Sequence, residues 1–159
     1  MTKKFDLLVI GTGSGASAAA FGCRSARWQV AIVDSRPFGG TCALRGCDPK
    51  KVLVGGADAF DWVRRMKGNG IQSEKLRINW GELMRFKRTF TEPVPKNREE
   101  MFTNAGIAPF HGRAHFVGRS AIQVGDDVLE GHYVVIATGQ KPADLKIPGT
   151  EHLRRASSS

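Results

Sequence analysis

Six mostly apolar residues, Phe5-Asp6-Leu7-Leu8-Val9-Ile10, run directly into the glycine-rich stretch GTGSGA, Gly11 to Ala16, and no other feature restricts the fold so tightly. A run of this kind has the form of a strand buried on both faces, as the strands of a parallel sheet are. The alanine-rich segment from Ser14 to Arg24 predicts a helix straight after the turn, and Gln29 to Val33 predicts a second buried strand ending at Asp34. Strand, glycine turn, helix, strand and acid, in that order, outline a dinucleotide-binding unit. Gly11 permits the tight turn, Gly13 lets a backbone approach a pyrophosphate, and Ala16 stands at the third position of the fingerprint, where alanine is allowed. The phosphates would meet the helix N-terminus, and Asp34, 23 residues beyond Gly11, lies where a carboxylate accepts hydrogen bonds from a ribose diol. A glycine turn can also serve helix and strand packing alone, but here strand, helix and acid agree. The motif does not choose between NAD and FAD.

The second informative stretch is GGTCALRGCDPKKVL, Gly39 to Leu53, in which Cys42 and Cys47 are separated by four residues. A disulfide needs Cα atoms within about 7 Å, whereas positions five apart on a regular helix are separated by roughly 7.5 Å along the axis. Cys42 is therefore expected to leave helical geometry, helped by Gly39, Gly40 and Gly46. Pro49 suits the first turn of a helix through Lys51, Val52 and Leu53, which puts Cys47 at a helix N-terminus. The partial positive charge there, with Lys51 one turn on, favours a thiolate and a reactive pair. Structural or accidental thiols are the alternative. A zinc site is disfavoured because His111, His115, His132 and His152 lie far along the chain.

A chain of 159 residues with 41% apolar residues is expected to form one domain, here 1–150, followed by a disordered tail at 151–159. No apolar run has transmembrane length, and Met1-Thr2-Lys3-Lys4 followed by six mostly apolar residues is not a secretory signal, so a cytoplasmic protein is expected. In that compartment a close cysteine pair is more often catalytic or sensing than stabilising. The net charge of +9 could attract nucleic acid, an acidic surface or an anionic cofactor. Much of it lies between Arg64 and Arg113, interleaved with glutamates as on a solvated helix face. No nucleic-acid module accompanies it, and neither nucleic acid nor a membrane is expected as partner.

The helix from Cys47 is expected to reach about Met66 and to break at Gly68-Asn69-Gly70. Asn79-Trp80-Gly81-Glu82 has the form of an imperfect capping box, and Trp80, Leu83, Met84 and Phe90 share a helical face that reads as core. Pro93 and Pro95 interrupt the pattern, which resumes through Met101 and Phe102 and stops at Asn104-Ala105-Gly106. Ile107 to Phe110, Ala114 to Phe116, Ala121 to Val124 and Tyr133 to Ile136 read as a small antiparallel meander whose last run returns to the main sheet. That run continues as Ala137-Thr138-Gly139-Gln140-Lys141-Pro142, a turn at the carboxyl edge of a parallel sheet, where such folds bind ligands. Cys23, in the first helix, reads as core.

Taken together, GTGSGA, Asp34, GGTCALRGC with Pro49-Lys50-Lys51, and IATGQKP resemble the amino-terminal part of the flavin-dependent pyridine nucleotide-disulfide oxidoreductases, the family of glutathione reductase, dihydrolipoamide dehydrogenase and mercuric reductase. The resemblance runs from Phe5 to Gly149. It implies an α/β, Rossmann-like FAD-binding domain with a parallel sheet and a small antiparallel meander, in truncated form. FAD is the implied cofactor, with NAD(P)H acting through domains absent from this chain. Gly11, Gly13 and Ser14 would lie at the pyrophosphate, Asp34 at the adenosine ribose, Thr41 near the flavin, and Thr138 with Gly139 at a second contact. Gly15, Ala16, Ser35, Gly40, Lys51 and Ala137 are counted with them as cofactor-binding residues.

By the same resemblance Cys42 is the interchange thiol that attacks a small-molecule disulfide, Cys47 the charge-transfer thiol beside the flavin, and Lys51 the lysine near its reactive edge. Lys50 leans toward glutathione disulfide, while Ala43-Leu44-Arg45 and Asp48 depart from the usual Val-Asn-Val and Val or Ile. Asp48, next to Cys47, is expected to oppose thiolate formation there. The implied partners are the missing family domains or a second chain, with a homodimer in the full-length family. A non-catalytic flavin-binding or thiol-sensing remnant is the alternative to an enzyme piece.

Overall fold

A computed structural model describes residues 2–140 and 143–152. The tail expected from 151 onward therefore lies outside the described residues from position 153, as do Lys141 and Pro142. The first strand, β1 (Thr2–Ile10), is followed by helix α1 (Ser14–Ser25) and strand β2 (Val30–Asp34). Helices α2 (Gly40–Arg45), α3 (Cys47–Arg65), α4 (Trp80–Thr91) and α5 (Val94–Asn104) come next. Strands β3 (Ala108–His111), β4 (His115–Phe116), β5 (Ala121–Val124) and β6 (Asp127–Ile136) follow, and a short 3-10 turn spans Thr150–His152.

All six strands form one sheet in the order β3-β2-β1-β6-β5-β4. β3, β2, β1 and β6 are mutually parallel, and β6, β5 and β4 antiparallel. The α/β, Rossmann-like class read from the sequence is therefore present, with one correction. Ile107 to Phe110, read as the first run of the meander, belongs instead to the parallel half, where Ala108 pairs with Ala31 and His111 with Asp34. The reason is α5, which crosses back over the sheet and returns the chain parallel to β2, as a strand–helix–strand connection does. The meander is the β4-β5-β6 arm, and the two-residue turn Gly125-Asp126 closes its second hairpin.

The alternation expected of strands sets two cores on the two sheet faces. Leu7, Val9, Val30 and Ile32 point to the face that packs Ala16 and Ala20 of α1, with Phe38, Phe102 and Ile107 beside them. Leu8, Ala31 and Val33 point to the other, where Ile122, Val124 and Leu129 of the antiparallel arm cover them. Cys23 packs at the edge of the first cluster, as its reading as core requires. Among the described residues no helix is long and apolar enough to cross a membrane.

Helix α4 differs from expectation. Asn79 does cap it, its side-chain oxygen accepting from the Glu82 N–H at 3.2 Å. The face carrying Trp80 and Phe90, however, is not core: Trp80 is 61%, Phe86 56% and Phe90 49% exposed. Within this chain α4 packs on α3, with Leu83 against Gly56; Lys87 and Thr91 are buried, while the three aromatic rings stay exposed.

Candidate functional site

The carboxyl ends of β1, β2 and β6 meet at one cleft, as the crossover from a central strand to neighbours on either side demands. β1 ends at Ile10, whose carbonyl accepts from the Ala137 N–H at 2.8 Å, and the Gly11 N–H donates to the Val33 carbonyl at 2.7 Å. Gly11 has φ 112°, and a Cβ there would stand 2.3 Å from the Ala137 carbonyl oxygen. Only glycine satisfies both the turn and that approach.

Gly13 is the N-cap of α1 and offers no side chain to the helix's first N–H groups, leaving them free for an anion. Facing it, Gly40 opens α2 with φ 72°, and a Cβ on Gly40 would lie 2.4 Å from the Gly13 Cα. The glycine turn and the start of α2 are thus in direct contact. Ala16 is fully buried under the turn, in the role the fingerprint gives it.

At the other end stands Asp34. Its Oδ2 accepts from Thr12 Oγ1 at 2.6 Å and its Oδ1 from the Arg36 N–H at 3.0 Å. Thr12 is 1% exposed, and its hydroxyl also accepts from the Gly39 N–H at 3.2 Å. Thr12 therefore holds the acid and the approach to α2 in one network. Sequence reasoning passed over it, because the x of a G-x-G turn carries no signal of burial. A carboxylate has about four acceptor sites, so Asp34 keeps capacity for a diol.

The cleft has a volume of roughly 440 Å³ and is lined by Gly11, Gly13, Asp34, Ser35, Gly40, Thr41, Ala137, Thr138 and Gly139 among the residues singled out from sequence. Ser14, Gly15, Ala16 and Lys51 do not line it: Ser14, Gly15 and Lys51 are exposed and Ala16 is beneath the turn. Thr12, Arg36, Arg45, Arg113 and Gln140 line it without having been picked out. A volume in the range of small-molecule sites, an uncapped helix N-terminus and an acid with spare acceptor sites together fit a dinucleotide.

The cysteines lie at the next corner. Cys42 does not leave helical geometry as expected: it sits inside α2, and the break falls at Gly46, with φ −131° and ψ −106°. A Cβ on Gly46 would be 3.0 Å from the Thr41 carbonyl oxygen, so glycine lets the chain fold from α2 into α3. The turn between two helices, rather than an unwound first cysteine, brings the pair together. Cys47 opens α3, with Asp48 in its first turn and Lys51 one turn on.

Both cysteines are exposed free thiols. The hydrogen bond between their side chains holds the Cys42 proton and raises that thiol above its ordinary value. Desolvation, then the charges of Cys47 and Asp48, push the same way, while the Cys47 N–H opposes them. The acid at position 48 thus acts on Cys42, across the corner. Neither cysteine lines the cleft, but Thr41 and Arg45, on the same short helix as Cys42, do.

The pyridine nucleotide-disulphide oxidoreductase family model matches residues 5–158. Trypanothione reductase of Trypanosoma congolense is 33% identical over 174 aligned positions that take in 96% of this chain and 35% of that protein. Glutathione reductase of Nostoc sp. is 32% identical over 96% of the chain and 33% of its own length. Dihydrolipoyl dehydrogenase of Chlamydia trachomatis is 29% identical over 89% of the chain and 31% of its own. The chain spans about a third of the length of these curated relatives.

Proposed function

Because the chain belongs to the pyridine nucleotide-disulphide oxidoreductase family, we propose that it binds FAD in the cleft at the ends of β1, β2 and β6 and carries the enzyme's redox-active pair at Cys42 and Cys47. The family is one of FAD-dependent oxidoreductases that use NAD(P)H. The observation that carries the reading is the contact of Gly40 with Gly13, which sets the cysteine-bearing helix directly on the phosphate-binding turn.

In this assignment the uncapped N–H groups of α1 and the glycine turn receive the pyrophosphate, and Asp34 with Ser35 the adenosine ribose. Thr41 and the strand end Ala137-Thr138-Gly139 orient the flavin half. FAD, once bound and reduced by hydride from NAD(P)H, would supply two electrons. With two protons these convert the Cys42–Cys47 disulfide to two thiols. Cys42 then attacks one sulfur of a disulfide substrate, forming a mixed disulfide and releasing the first product thiol. Cys47 attacks the Cys42 sulfur, releases the second thiol and restores the disulfide. Deprotonation of Cys42 is the demanding step, since its neighbours hold its proton. Lys51 lies one turn beyond Cys47 on the same helix.

The whole enzyme is proposed to take a small-molecule disulfide, to draw on NAD(P)H and to act as a homodimer in a cytosolic compartment. Lys50 beside Lys51 supports a glutathione-type substrate. Relatives named for glutathione, trypanothione and dihydrolipoyl chemistry match at similar identity, so substrate choice rests on that lysine.

The test is an anaerobic visible spectrum of the chain with FAD, before and after stoichiometric dithiothreitol. A flavin spectrum that gains a long-wavelength shoulder on reduction, and loses that response in Cys47→Ser, is the expected result. A folded chain that takes up no FAD overturns the reading. FAD uptake unaffected by either cysteine's state leaves a flavin-binding remnant instead.

A further inference from the structure

Resting on the dinucleotide reading above, we infer that Arg45 is a positioning residue for the ligand's diphosphate, a charge-bearing addition on the cysteine side of the cleft. Three arginines line the cleft, Arg36, Arg45 and Arg113, against the single carboxylate of Asp34, so its lining carries a net charge of +2. A pyrophosphate diester carries two negative charges, which that lining neutralises.

The arginines are not equivalent. Arg36 and Arg113 are exposed and stand at the Asp34 end, where the Gly112 N–H donates to the Asp34 carbonyl at 2.9 Å. Arg45 is only half-exposed, and it ends α2. Thr41, four residues before it, shares its helix face, and both line the cleft. The same helix begins on Gly13, the uncapped N-terminus of α1. Arg45 therefore lines the cleft one turn beyond Thr41, on the helix whose first residue rests on the phosphate-binding turn.

Among the described residues no carboxylate, carbonyl or ring takes up the Arg45 guanidinium. A half-buried, permanently charged group without a protein partner is a standing cost that a bound anion removes.

The experiment is a set of binding titrations on the full chain, comparing the unsubstituted protein with Arg45→Gln and Arg45→Lys, using FAD, ADP and adenosine as probes. Circular dichroism serves as the check on folding. At about 0.01 M salt, where the screening length is roughly 30 Å, Arg45→Gln is expected to weaken FAD and ADP about tenfold and to leave adenosine unchanged. Arg45→Lys recovers part of the loss, and the difference shrinks at about 1 M salt, where the screening length is roughly 3 Å. Unchanged FAD and ADP affinity in Arg45→Gln overturns the assignment while leaving the dinucleotide site intact. So does an equal loss for adenosine, which marks a merely structural role. If the unsubstituted chain binds neither FAD nor ADP, the dinucleotide reading itself fails and the role of Arg45 with it.

Discussion

At the scale of single residues, the site depends on places where a side chain cannot be. Gly40 has both a left-handed backbone and a virtual Cβ 2.4 Å from Gly13, so Gly40→Ala must push α2 off the glycine turn. We expect it to cost about 1–3 kcal/mol in chemical denaturation and to abolish FAD uptake. The thiols make a second expectation. Because the hydrogen bond from Cys47 is the largest cause that holds the Cys42 proton, ahead of desolvation and the Cys47 charge, Cys47→Ala should increase the thiolate fraction of Cys42 near pH 8. Alkylation of the Cys42 peptide, followed by mass spectrometry against pH, should become faster and its midpoint should move down. Asp48→Asn should move it the same way by less, being the smaller cause. Gly11, Gly13 and Asp34 were legible in the sequence because a turn, an approach and an acid at fixed spacing leave few alternatives. Thr12 and Arg45 were not, since their contribution comes from what the fold brings near them.

At the scale of elements, what could be read was periodicity and what could not was partnership. The strand at Phe5, the helix at Ser14, the strand after Gln29 and the cap at Asn79 follow from local pattern, and the structure has each. β3 was placed in the wrong half of the sheet because four residues carry no information about direction. α2 was passed over because a six-residue helix opened by two glycines has no periodicity to detect. α4 shows the limit most plainly: its aromatic residues have helical spacing, yet they remain about half exposed or more while Leu83 packs against Gly56 of α3. Phe86 and Phe90, in edge contact at 5.1 Å between ring centres, are exposed at the surface, as is Trp80. Replacing both phenylalanines by serine should therefore raise solubility, measured by light scattering against concentration. The thermal midpoint should change little, since neither ring is part of a core cluster.

At the scale of the whole molecule, β1, like β2, contributes to both cores. Leu8 is fully buried on the arm side of β1, while Leu7 and Val9 face α1. Leu8→Ala should cost about 2–5 kcal/mol, and fluorescence and circular dichroism should report one shared transition, because β1 belongs to both layers. β1 also joins segments that lie far apart along the chain: it pairs with Val30–Val33 on one side and with Val128–Ile136 on the other. During synthesis β1 leaves the ribosome well before β6 and keeps one edge open until β6 arrives. The wall of the cleft at Ala137 cannot be set against Gly11 before then. The binding site is thus completed only once β6 is in place, and the interval before β6 docks is when the exposed edge of β1 is available to a chaperone or to another unfinished chain.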